Sequence, residues 1–294
     1  MSQPVLVVGD VMTDLIVVPE GPIVKGSDRR ATVRSRPGGS GANQAVWLGS
    51  MGADVRFAAR VGDADRATHE RYFQSLGVTP LLTGDTALPS GVLVTIVDAD
   101  GERSFLTDRG ANLNLCAADL PDSLLDGVAM VMVSGYSFFA DGPRAAVMGL
   151  LASARARHIA VAIDPASIGF LAEVGAARFL GWTAGADWIF ANADEAGALT
   201  GADDLDQQLR MLGEQFTHVV IKRGRLGAML GGREGVRVAL PAQIVPVVDS
   251  TGAGDAFAAG LLAAHLAGQD MAAALAAGIA AGARAVQFIG GQPQ

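Results

Sequence analysis

The stretch Val247-Val248-Asp249-Ser250-Thr251-Gly252-Ala253-Gly254-Asp255-Ala256-Phe257-Ala258-Ala259-Gly260 decides how the chain is read. It predicts a strand running into a Gly-Ala-Gly turn, with a helix that starts at Asp255. The first N–H groups of a helix have no intrahelical partner and carry partial positive charge. Glycines let backbone approach an anion closely, so the turn suits a phosphoryl group in transfer. Asp255 shares that helix start, where the dipole favours its ionised form, and it can take a proton from a hydroxyl. The plain alternative is an N-cap aspartate after a glycine turn.

Three more segments carry chemistry. In Pro37-Gly38-Gly39-Ser40-Gly41-Ala42-Asn43-Gln44-Ala45, three glycines lead into a helix whose first turn holds Asn43, a donor and acceptor for a polyol. Asn192-Ala193-Asp194-Glu195 follows the apolar run Trp188–Phe190. A carboxylate at the C-terminal end of a strand can hold hydrated Mg²⁺ on nucleotide phosphates. A lone N-x-x-E is more simply a helix cap. Ile221-Lys222-Arg223-Gly224-Arg225-Leu226-Gly227 reads as a strand into a glycine turn. Lys222 there can reach a phosphate, or stand solvated on a hairpin.

Between these segments strands and helices alternate. Apolar runs predict strands at Val5–Val8, Val55–Val61, Val128–Val133, Ala160–Ile163, Trp188–Phe190, Val219–Ile221 and Ala228–Leu230. Helices are expected at Ala42–Met51, Asp65–Leu76, Arg144–Arg157, Ala172–Leu180, Glu195–Leu199, Leu205–Gln215, Asp255–Ala267 and Met271–Phe288. The pattern predicts an α/β fold: a doubly wound, mostly parallel sheet with helices on both faces. Two polar segments, roughly 11–37 and 89–112, break it and predict a small β-sheet appendage. Asp100-Gly101 is read as a hairpin turn between Gly91–Asp98 and Arg103–Thr107. The layout is one domain over residues 1–294.

The 294 residues are 50% hydrophobic and 18% charged, against about 25% charged in an average domain. This excludes a disordered chain. The net charge of −8 and 5% aromatics speak against a nucleic-acid binder. One cysteine, Cys116, excludes an intrachain disulfide and any multi-cysteine zinc site. The N-terminus lacks the basic region of an export signal, and no apolar run reaches about 18 residues, so the chain reads as a cytoplasmic protein away from membranes. A Walker P-loop, a G-x-G-x-x-G after a strand, H-E-x-x-H, G-x-S-x-G and the protein-kinase signatures are all missing. A dehydrogenase is thereby disfavoured.

Taken in order, the four segments resemble the ribokinase-like (phosphofructokinase-B) carbohydrate kinase family over nearly the whole chain. Gly38 to Ala45, Gly49 to Gly52 and Arg60 to Asp63 look like its N-terminal signature, and Asp249 to Asp255 like its C-terminal one. The resemblance implies transfer of phosphate from ATP, as its Mg²⁺ complex, to a hydroxyl of a small sugar or sugar acid. It makes the appendage a β-sheet lid. It implies Asp255 as base and Gly252, Ala253 and Gly254 as anion hole. Asn192 and Glu195 then act through Mg²⁺ and water, and Lys222, Gly224 and Gly227 lie in the nucleotide pocket. Asp14, Gly38, Gly39 and Asn43 grip the sugar. Asp249 and Thr251 fall where potassium-activated members hold a monovalent cation, and the tail from Ala285 to Pro293 resembles that cation loop.

Three departures bear on substrate. Met12 stands where ribose-specific members have asparagine, and Tyr136 lies where they have glutamate. Asp108-Arg109-Gly110-Ala111-Asn112 replaces a less charged loop, so Arg109 can meet an acidic group of the substrate or the γ-phosphate, or stand as a surface arginine on the lid return. These point away from ribose itself. A nucleoside kinase is the alternative within the class, and a catalytically silent sugar- or nucleotide-sensing protein the alternative outside it. Exposed strand edges on the lid offer a surface for a homodimer.

Overall fold

Val5 and Val7 pack into one apolar core and Leu6 and Val8 into another, although the four are consecutive. Successive strand side chains face opposite ways, so a strand buried on both faces reads as an unbroken apolar run. The computed structural model describes residues 3–98 and 103–293. Its main sheet is built from β1 (Val5–Val8), β4 (Val55–Gly62), β5 (Val78–Asp85), β8 (Met130–Ser134), β9 (Ala160–Asp164), β10 (Trp188–Asn192), β11 (His218–Lys222), β12 (Ala228–Gly232) and β13 (Gly235–Leu240). The order is β13-β12-β11-β10-β9-β8-β1-β4-β5. From β11 to β5 every pairing is parallel, and β12 and β13 add an antiparallel edge.

One face carries α1 (Ser40–Ser50), α8 (Ala253–Leu266) and α9 (Met271–Ala285). Here Ala258, Ala259, Leu262 and Leu275 pack with Phe190 and Val220 in a single cluster. The small residues let α8 and α9 approach closely. The other face carries α3 (Asp141–Ala156), α6 (Ala193–Thr200) and α7 (Leu205–Leu212) over Val131, Ile163 and Ile189. Helix α2 (Arg66–Ser75) flanks β5. Among the described residues no helix is long and apolar enough to cross a membrane.

The small sheet is separate: β2 (Met12–Pro19), β3 (Ala31–Gly38), β6 (Gly91–Val97) and β7 (Arg103–Asp108), in the order β3-β2-β6-β7. Strands β6 and β7 pair antiparallel as read from sequence, while the expected Asp100-Gly101 turn lies outside the described residues. Strands β2, β6 and β7 lie in the two segments expected to form it, and β3 runs one residue past the first, to Gly38.

Four local expectations are corrected. The stretch before the glycine turn is not a strand; residues 241–249 run without regular structure, and Val247 and Val248 are exposed. The helix after the turn begins at Ala253, not Asp255. Gly175, at φ 84, splits the helix expected at Ala172–Leu180 into α4 (Ile168–Val174) and α5 (Ala176–Trp182). Helix α9 stops at Ala285, leaving a C-terminal tail that turns back towards the site. Strands β5 and β13 carried no apolar run strong enough to be read.

Candidate active site

The parallel strands deliver polar residues to one edge of the sheet. Ser134 ends β8 opposite Asp164 at the end of β9, and Asn192 ends β10 opposite Lys222 at the end of β11. Asp10 follows β1. Carboxyl ends of parallel strands are where open α/β sheets bind ligands, because the chain must leave the sheet there.

Helix α8 meets this edge with its N-terminus. Gly252 caps it in the left-handed region, at φ 72, and a Cβ there would lie 2.4 Å from Gly291 Cα. Only glycine satisfies both constraints. Asp255 is the third residue of the helix and makes no capping hydrogen bond. Its carboxylate turns instead to α1. Ser40 Oγ donates to Oδ1 at 2.7 Å, Gln44 Nε2 to Oδ1 at 3.1 Å, and Asn43 Nδ2 to Oδ2 at 3.0 Å. Burial, reinforced by the nearby Asp164 carboxylate, pushes the Asp255 carboxyl up to about 7; the bonds from Ser40 and Asn43 and the Lys222 charge hold it from rising further.

The tail locks the turn from behind. Asp249 accepts the Thr251 N–H at 2.9 Å and the Gly290 N–H at 3.0 Å. Trp47 Nε1 donates to Gly291 O at 2.9 Å, and Tyr72 donates to Gln292. The Asp249 carboxylate therefore bridges turn and tail.

On one side of the turn lies a cavity of about 550 Å³. Asn192, Lys222, Gly224 and Gly227 line it with Ala253 and Gly254, while Glu195, expected with them, is not among its lining residues. Phe257, Ile244 and Val286 give it apolar walls. Lys222 is not a solvated hairpin lysine. Its Nζ donates to Asp164 Oδ2 at 2.7 Å and lies 3.1 Å from where a side chain on Gly254 would begin. Burial opposes its charge, but Asp164 and Glu195 outweigh that and raise its pKa. Asn192 and Glu195 form a complete capping box at the start of α6, each side chain bonded at 2.8 Å to the other's backbone N–H. The Glu195 carboxyl is raised, chiefly by burial. Among the described residues no cluster of three or more His, Cys, Asp or Glu is placed to hold a metal.

On the other side, beneath the small sheet, Asp14 is buried against Gly38, whose missing side chain leaves room for the carboxylate. Burial and the Asp10 and Asp249 carboxylates push Asp14 up to about 7. Asp14 Oδ1 and Asn43 Oδ1 are buried without a hydrogen-bond partner. Gly39 takes φ 96 and leads into α1. Arg109 is not a surface arginine. It pairs with Asp10 at 3.4 Å and lies 4.7 Å over the Tyr136 ring. Asp10 also accepts from Gly41 N and Ser134 Oγ.

A family model described as pfkB family carbohydrate kinase matches residues 2–294. The chain belongs to that family. The chain is 30% identical over 307 residues to the bifunctional protein HldE of Pseudomonas fluorescens Pf-5, with 96% of the chain covered but 60% of the relative. The chain thus spans under two thirds of the length of such relatives. It is 29% identical to a fructokinase of Klebsiella pneumoniae, covering 90% of this chain and 84% of that one. In structure it resembles an adenosine kinase from Sinorhizobium meliloti, with TM-score 0.89, 23% identity, and coverage of 100% and 96%. That likeness establishes the ribokinase-like fold.

Several residues at the cleft were not singled out from sequence: Asp10, Ser40, Gln44 and Asp164. Asp10 stood in plain view after an apolar run. Asp164 gave no signal, because its partner Lys222 is 58 positions away.

Proposed function

We propose that this kinase transfers the γ-phosphoryl group of ATP to a hydroxyl of a small sugar or sugar acid. The observation that carries the reading is the position of Asp255: it follows Gly254, which lines the cavity beside Lys222, and its carboxylate accepts from Ser40 and Asn43 at the start of α1. In this reading the γ-phosphoryl group lies against the N-terminus of α8 and the acceptor hydroxyl lies near Asp14 and Asn43. The acceptor oxygen forms the new P–O bond, the bond from the γ-phosphorus to the β-bridging oxygen breaks, and ADP leaves. The hydroxyl proton passes to Asp255. With its carboxyl near 7 rather than 3.8, Asp255 is matched to that task at neutral pH.

The Gly252–Gly254 backbone and Lys222 supply positive charge where the equatorial phosphoryl oxygens gather it. Asn192, Gly224 and Gly227 shape the nucleotide pocket. Asp14, Asn43, Gly38 and Gly39 bind the acceptor, since the unpartnered oxygens of Asp14 and Asn43 call for hydroxyl donors. Arg109 is already compensated by Asp10, so it serves an acidic group on the acceptor as an orienting contact. Mg²⁺ fits the nucleotide end: Glu195 is a buried carboxylate close enough to influence Lys222, and burial holds it above its usual range. When bound with ATP, it neutralises phosphate charge while keeping most of its waters, and Glu195 and Asn192 act on it through water. Asp249 and Thr251 belong to a monovalent-cation loop. The kinase works in the cytoplasm.

An ADP-release screen over pentoses, hexoses, sugar acids and nucleosides tests the reading. Turnover of a sugar or sugar acid supports it. Turnover of nucleosides alone transfers it to the nucleoside-kinase reading, and ATP binding without any turnover leaves a silent sensor.

A further inference from the structure

We propose that Asp164 is a positioning residue of this kinase: a single carboxylate fixes Lys222 Nζ beside the glycine turn and sets a negative charge facing Asp255. The inference rests on the phosphoryl-transfer reading above and adds a residue to it.

The geometry starts from the backbone. Asp164 ends β9, which lies between β8 and β10 and so beside the nucleotide residues that end β10 and β11. It is almost wholly buried. Its Oδ1 accepts the Ala166 N–H at 3.0 Å, closing a turn in which Ala166 is held at φ 74, in the left-handed region. A non-glycine residue there is strained, and such strain persists only where the surroundings over-determine it. Oδ2 is thereby aimed at Lys222 Nζ, 2.7 Å away.

The pair divides the work. Lys222 has a flexible stem, and among the described residues its ammonium makes one side-chain hydrogen bond, to Asp164. Without an acceptor at Asp164 nothing directs Nζ to the mouth of the turn. A phosphate that arrives there meets a cation already desolvated and aimed, which lowers the reorganisation needed during transfer. The charge of Asp164 acts separately. The groups facing Asp255 are Ser40, Asn43 and Gln44 from α1, Lys222 from β11, Asp164 from β9, and the Tyr136 hydroxyl, itself pushed up to about 12 by burial. After burial, Asp164 is the largest influence keeping the Asp255 carboxyl high, while Lys222 lowers it. Removing the charge of Asp164 makes Asp255 a weaker base that stays ionised to lower pH.

Two variants separate the effects. Asp164→Asn keeps an oxygen that accepts from Lys222 and loses the charge; Asp164→Ala loses both. MgATP binding is read by calorimetry and kcat/KM is followed over pH. The proposal expects Asp164→Ala to weaken MgATP binding and kcat/KM at pH 8 by about 10- to 100-fold, the worth of a charged hydrogen bond, with Asp164→Asn retaining most of both. It expects the acid limb of kcat/KM, near pH 7 in the native kinase, to move to lower pH in both variants. Equal damage from Ala and Asn overturns the positioning role, and a limb that stays in place overturns the electrostatic one. Where Asp164→Ala does not fold, it is combined with Lys222→Met to remove both charges; its limb must then lie below that of Lys222→Met alone. A native protein that turns over no acceptor defeats the phosphoryl-transfer reading and the pH half of this inference with it. The calorimetric comparison of Ala with Asn still decides the positioning half.

Discussion

Ser40 Oγ donates to Asp255 Oδ1 across 2.7 Å, although the residues stand 215 positions apart. One is the first residue of α1, the other the third of α8, and the bond joins the two helix N-termini that face the cleft. Ser40 and Asn43 favour the ionised form of a carboxylate that burial would protonate. Ser40→Ala therefore raises the Asp255 pKa above about 7, and the acid limb of kcat/KM moves to higher pH. A limb that stays in place in Ser40→Ala removes Asp255 as the group that limits the rate.

Asp255→Asn tests the base itself. General bases contribute about 10²–10⁴-fold, so kcat falls by at least about 10²-fold while MgATP binding persists. Stability supplies a second readout. The Asp255 carboxyl lies near 7 in the fold and at 3.8 in the unfolded chain, so the folded state binds the extra proton between those values. The stabilisation of that protonated form is complete below 3.8 and is lost as pH rises through 7. Asn carries no charge, so Asp255→Asn raises Tm relative to the native kinase at pH 8. A lowered Tm with near-native turnover would make Asp255 a structural residue only.

Asp14→Ala discriminates the two pockets. A carboxylate bonding acceptor hydroxyls leaves them unpaired when removed, at about 1.5–3 kcal/mol per charged hydrogen bond. The KM for the acceptor rises at least about 10-fold, and that for ATP stays near its native value. A rise confined to ATP would reverse the assignment of the pockets.

Glu195→Gln distinguishes metal use from capping. Glutamine at the third helical position still completes a capping box. Tm is thus expected to hold while the Mg²⁺ concentration for half-maximal rate rises. An unchanged Mg²⁺ titration assigns Asn192 and Glu195 to the helix cap alone.

Potassium is expected to activate, since an ion behind the Asp249 bridge would stiffen the Gly252–Gly254 backbone and add positive field at the phosphates. Rates are compared in potassium-, sodium- and tetramethylammonium-only buffers. Equal rates in all three remove the cation from this loop.

The sequence by itself determined the family, the alternation of strand and helix, the separate small sheet and the residues of the two glycine-rich segments. Those features are local: an apolar run of four residues such as Val5–Val8, or glycines leading into a helix, carries its reason within a few positions. It was silent on β5 and β13, where buried positions are scattered among partly buried and exposed ones and no continuous run forms. It placed the start of α8 two residues late, because the backbone of Gly252, not the side chain of Asp255, forms the cap. Only the tertiary structure decided what each charged residue faces. Lys222 looks like any lysine after a strand until β9 places Asp164 at 2.7 Å. Arg109 looks like a surface residue until Asp10 and Tyr136 close on it. Charge–charge and desolvation energies depend on distance and burial between segments far apart in the chain. The values near 7 at Asp14 and Asp255 therefore arise only once the sheet edge, α1 and the tail have come together.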